Sequence, residues 1–140
     1  MVSLVKMDRK AYYLWFNFVC LNLSVICMNL LLAILLSVST LLDQAKAIAN
    51  KPTIQDERVV KLEQHLADEY KKCGDVCVDR LLDGLATDWY KGIDLYIAHS
   101  DMEAIHMMTT DQTAFYKKAK SVSMSAESFD GYSIIVVVSY

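Results

Sequence analysis

Cys73 and Cys77 flank Gly74 at a separation of four, a spacing that suits more than one sulfur chemistry. Across one helical turn the Cα atoms would lie about 6 Å apart, within reach of a disulfide in an oxidising compartment. Two packing thiols on an apolar stripe, or two ligands of a metal, are the alternatives. The spacing is neither C-x-x-C nor C-x-x-C-H, so a thioredoxin-like redox pair and haem attachment gain no support. His99, Met102 and His106 follow at spacings of three and four, with Met107 and Met108 beside them. Imidazole and thioether groups on one helix face are ligands that copper(I) favours, and the same residues serve as core filler and surface imidazole. The plainer reading is taken, so no metal and no cofactor are expected.

Acid–base chemistry has little to build on. Asp75, Asp79, Asp83 and Asp88 form a row of carboxylates that reads as the solvated face opposite an apolar stripe. Ser100 and Asp101 beside His99 are neighbours in sequence, so their side chains diverge rather than form a hydrolase triad. Phosphate-binding loops, dinucleotide fingerprints and calcium-loop spacings are missing from the sequence. The chain therefore reads as a protein that is not an enzyme.

Asn22 and Asn29 lie seven residues apart, on one helix face, inside a run from Ala11 to Leu42 that carries no charged side chain. Ala33, Ser37 and Thr40 continue that face with small or hydroxylated residues. An amide in hydrocarbon is costly without a partner, and small residues at four-residue spacing let helices approach closely. Asn22, Asn29, Ala33 and Ser37 are therefore the expected helix–helix interface. Cys20 and Cys27 in the same run behave as small hydrophobes.

As a helix the thirty-two residues of the uncharged run would extend about 48 Å, beyond the roughly 30 Å of a bilayer's hydrocarbon. Tyr12, Tyr13 and Trp15 suit the headgroup level at one end. The run is about twice the length of a signal-peptide core, so an uncleaved signal anchor over 12–42 is expected. It follows a short basic segment, 1–11, holding Lys6, Arg9 and Lys10, while Lys46 and Lys51 lie beyond it. That asymmetry leans towards a cytoplasmic N-terminus and an extracytoplasmic tail. From Asp43 onward eleven basic side chains face sixteen acidic ones, which argues against nucleic acid or anionic lipid as partners of the tail.

The hydrocarbon span itself would cover about Phe16–Ser37, and Val38–Leu42 would emerge beyond it and could continue as helix through Asp43–Asn50. After this linker at 43–52, which contains Pro52, Thr53 is the expected cap of an amphipathic helix striped by Val59, Leu62, Leu66, Tyr70, Cys73, Cys77 and Leu81. Leu82, Leu85, Trp89, Ile93 and Ile97 predict further helix over Leu81–Ala98, and Asp101 could cap a short helix through Met108. Thr109 or Thr110 could then begin another through Lys120, making 53–120 a helical region. Alternation from Val122, the Asp130-Gly131 turn and the β-branched run to Tyr140 predict a β-hairpin over 121–140. Ile134–Val138 lacks a charge or proline to guard an edge, so the strands are expected either to pack on the preceding helices and pair with a partner's sheet or to open a longer α+β domain.

The fold class is thus α+β, predominantly helical: one N-terminal transmembrane helix, amphipathic helices, then a C-terminal β-hairpin. In architecture alone this resembles two groups of bitopic proteins: sensors whose extracytoplasmic domain opens with a long helix, and secretion-system assembly factors with an α+β domain. The expected function is a single-pass, non-catalytic subunit or assembly factor of a larger membrane complex. Its partners would be the membrane lipid bilayer and other transmembrane subunits, or a second copy. Two alternatives are a sensor input module and a small self-assembling pore or lysis protein.

Overall fold

The computed structural model describes residues 17, 19–31 and 40–140, and the chain divides at Ser39 into two units. In the first unit residues 19–31 are helical. Leu21, Leu23, Val25, Ile26, Met28, Leu30 and Leu31 are 53–72% exposed there. Among the described residues no helix is long and apolar enough to cross a membrane. Residues 12–16, 18 and 32–39 of the expected span, among them the aromatics Tyr12, Tyr13 and Trp15 and the interface residues Ala33 and Ser37, lie outside the described residues, as does the basic segment 1–11.

The second unit, Thr40–Tyr140, is organised by Ile134–Val138, five consecutive apolar residues with no exposed surface. Successive strand residues point to opposite faces, so an apolar run without alternation requires cover on both sides. Strand β3 (Tyr132–Ser139) accordingly lies at the centre of a three-stranded antiparallel sheet. Its neighbours are β1 (Gly92–Ala98) and β2 (Val122–Phe129), in the order β1–β3–β2. The register runs Gly92 opposite Ser139 to Ala98 opposite Ser133, and Val122 opposite Ser139 to Phe129 opposite Tyr132. Asp130-Gly131 makes the β2–β3 turn, where Gly131 takes the positive φ (91°) that glycine tolerates.

Helices cover both faces. On one side α1 (Leu41–Ala49) and α4 (Asp101–Thr110) bring Leu41, Ala45, Ala49, Ala104 and Met108 against Ile135 and Val137. On the other, α2 (Glu57–Cys73) and α3 (Asp75–Asp83) pack Val59, Leu62, Leu66 and Val78 on Ile134, Val136 and Val138. Gly74 separates these two helices with a φ of 64°.

Several expectations are corrected. The helix expected to run on through Asp43–Asn50 is present as α1, but it starts afresh at Leu41 instead of continuing the 12–42 anchor, and it takes up most of the 43–52 linker. Thr40 and Asp43 form its reciprocal cap, and Leu41 is core. Hydropathy alone does not distinguish burial in lipid from burial in protein. The cap of α2 is Asp56, which accepts from the Arg58 amide, while Thr53 bridges to Val122. Residues 92–98, placed within a helical region, are strand β1. Ile93, Leu95 and Ile97 alternate there against β3, although Ile93 and Ile97 alone also fit a helical spacing. Ser100 rather than Asp101 caps α4, and only a 3-10 turn, Phe115–Lys118, follows it. The hairpin is present, yet β3 is the centre of a sheet instead of an unguarded edge.

Candidate functional site

Asn22 and Asn29 are helical and exposed. Cys73 and Cys77 are joined as a disulfide around Gly74, with Cα atoms 5.4 Å apart. Among the described residues no group of three or more His, Cys, Asp or Glu side chains is placed to hold a metal. Asp101 accepts from the Ser128 hydroxyl at 2.6 Å and from the Ser133 hydroxyl on the same oxygen. Those serines face each other across the hairpin, so the carboxylate at the start of α4 clamps β2 to β3. Asp56 accepts from Arg58 and from the Tyr140 hydroxyl (2.6 Å), while Arg58 lies over the Trp89 ring at 4.4 Å. The hydrogen bond from Arg58, followed by that from Tyr140, holds the Asp56 carboxyl well below the usual range. These groups tie elements together.

The outer edge of β2 is different. Val122 bonds away from β3, donating to the Pro52 carbonyl (2.9 Å) and accepting from the Ile54 amide (2.8 Å). Alternation along an antiparallel strand then directs the backbone groups of Met124, Ala126 and Ser128 the same way. Among the described residues these groups have no backbone partner, because the paired segment leaves the edge at Gln55. A groove of about 330 Å³ runs beside this edge. Leu42 and Lys46 from α1, Glu57 and Val60 from α2, and Ile54 and Met124 line it. Ile54 and Val60 are 48% and 46% exposed, so the groove offers water an apolar surface next to unpaired backbone.

Further along the same strand, Ser125 and Glu127 point towards α2 and meet Glu63. Glu63 is 2% exposed, and its Oε1 is buried without a hydrogen-bond partner among the described residues. Burial first, and then the neighbouring Glu127 carboxylate, push its pKa up to about 7. Ser125 opposes that shift, and Asp68 adds to it. Sequence reading did not single out Glu63, although its position four residues after Val59 and three before Leu66 puts it on the buried face of α2. The chain matches no family model, no curated protein and no solved structure.

Proposed function

We propose that this chain is a membrane-anchored, non-catalytic subunit or assembly factor of a larger membrane complex. The observation that carries this reading is the helix over 19–31, whose large apolar side chains are exposed all round within a thirty-two-residue uncharged run. A helix apolar on every side needs lipid or other helices around it. The single-pass anchor over 12–42 and its Asn22, Asn29, Ala33 and Ser37 face are part of this proposal. So is an extracytoplasmic folded unit, for which the Cys73–Cys77 disulfide argues, since such bonds persist in oxidising compartments. The engagement of Asp56, Asp101 and both serines in bonds within the fold favours a binding role over a catalytic one.

The anchored chain should resist extraction by alkaline carbonate, and its release would overturn the proposal. Changing Asn22 and Asn29 together to Leu should weaken association with its complex in detergent, leaving membrane insertion intact. Unchanged co-purification would remove the helix interface from the proposal.

The folded unit would dock through the β2 edge, and the occupant it fits is an extended apolar segment of a partner subunit added as a fourth strand. Thr53 and Ile54 already supply the first rung of that strand. Ala126→Pro tests this, because the amide it removes points away from β3 and the sheet's own ladder is retained. The variant should keep its unfolding temperature and lose the partner. Retention of the partner with an unchanged fold would exclude strand addition at this edge.

A further inference from the structure

At the end of the sheet where β1 and β2 begin and β3 finishes, three lysines line one pocket. Lys91 precedes β1, Lys118 ends the 3-10 turn, and Lys120 stands shortly before β2. With Phe115 and Tyr140 they line a concavity of about 200 Å³ to which no Asp or Glu side chain contributes. Asp88 belongs to the adjoining depression, and Asp56 is already engaged by Arg58 and Tyr140. None of the three ammonium groups has an ion-pair partner among the described residues. This is unusual in a protein of net charge −3 whose acids outnumber its bases.

The pocket is held in shape by the fold rather than by the lysines. Asp94 accepts from the Phe115 and Tyr116 amides, both at 2.9 Å, and so fixes the turn that carries Lys118. The Lys91 amide donates to the Ser139 carbonyl at 2.8 Å, and the Tyr140 amide to the Ser121 carbonyl at 3.1 Å. Phe115 is 54% exposed yet confined, because its ring base sits on Gly92 where a Cβ would approach within 2.3 Å. An exposed ring held still beside three unpaired cations makes a recognition surface with an anionic and an aromatic component.

We infer that this pocket binds a small phosphate-bearing solute, its phosphate among Lys91, Lys118 and Lys120 and its apolar part against Phe115. A phosphate dianion matches three neighbouring lysines better than a monocarboxylate, and the volume is below that of drug-sized ligand sites. A lipid phosphomonoester offers the same group. The small volume of the pocket and the net negative charge of the chain, which disfavours an anionic lipid surface, favour the soluble source.

The test is titration of the full-length chain in detergent with phenyl phosphate and with inorganic phosphate, against sodium chloride at matched ionic strength. Phenyl phosphate should saturate. Lys118→Gln should weaken it about tenfold or more, the loss of one charge-assisted contact, and Phe115→Ala about threefold without weakening inorganic phosphate. Lys61→Gln, an exposed lysine on α2, is the charge-matched control and should change nothing. Equal responses to phosphate and chloride, or equal affinities for the Lys118 and Lys61 variants, would overturn the site. Binding of dihexanoyl phosphatidic acid without binding of phenyl phosphate would overturn the soluble source.

Discussion

Replacing Glu63 with Gln should stabilise the folded unit by about 1–3 kcal/mol at pH 8 and leave it unchanged near pH 4. The sign follows from the direction of the shift. The Glu63 pKa is raised from 4.5 to about 7 by burial and by the Glu127 carboxylate. Between those two values the folded chain holds a proton that the unfolded chain has released. Stability therefore falls as pH rises through that window and levels off above it. Glutamine has the shape of the protonated acid and never ionises, so its curve should lack the fall. Burial also raises the pKa of Asp94, which slopes the curve the same way. Only the difference between wild type and variant isolates Glu63. Urea unfolding from pH 4 to 9 measures it, and parallel curves for the two proteins would show that Glu63 is not the group responsible.

The second large effect is expected at Asp94. Its two carboxylate oxygens each accept a backbone amide, from Phe115 and from Tyr116, and the side chain is only 7% exposed. Asp94→Ala would leave the buried Tyr116 amide and the partly buried Phe115 amide without their acceptor, at a cost of about 2–4 kcal/mol. Asp94→Asn keeps one acceptor oxygen and should lose about half as much. The same change frees the turn that seats Tyr116, which is itself buried and donates to the Met108 carbonyl at 2.9 Å. Amide exchange at Phe115 and Tyr116 should consequently accelerate before global unfolding. A loss under about 0.5 kcal/mol, the size of an ordinary surface substitution, would show that the bonds to the turn contribute little.

Local pattern was enough to find α2 and the hairpin. Val59, Leu62 and Leu66 keep helical spacing, and Asp130-Gly131 is a strong turn between alternating and β-branched residues. Strand β1 escaped because Ile93 and Ile97 fit a helix as well as a strand. What decides between them is distant in sequence: β3 is buried on both faces and needs a partner on each edge. The unbroken Ile134–Val138 run carried that signal, since an edge strand exposed on one face would alternate. Helix α1 was likewise visible in Thr40 and Asp43, whose reciprocal cap lies at the end of the uncharged run. The lysine pocket had no local signature. Lys91 lies far along the chain from Lys118 and Lys120, and only the antiparallel pairing of β1 and β2 with β3 brings them to one end.

The central position of β3 also bears on the order of assembly. β1 and β2 touch through β3 alone, and β3 follows both in the chain. During synthesis each outer strand waits without a neighbour, and the helices that cover the sheet have nothing to close on. Contacts of such long sequence separation slow folding and leave apolar segments open to association in the interval. A ribosome paused before Tyr132 would therefore hold a chain with two strands and no sheet, and the arrival of one eight-residue segment would complete both faces together.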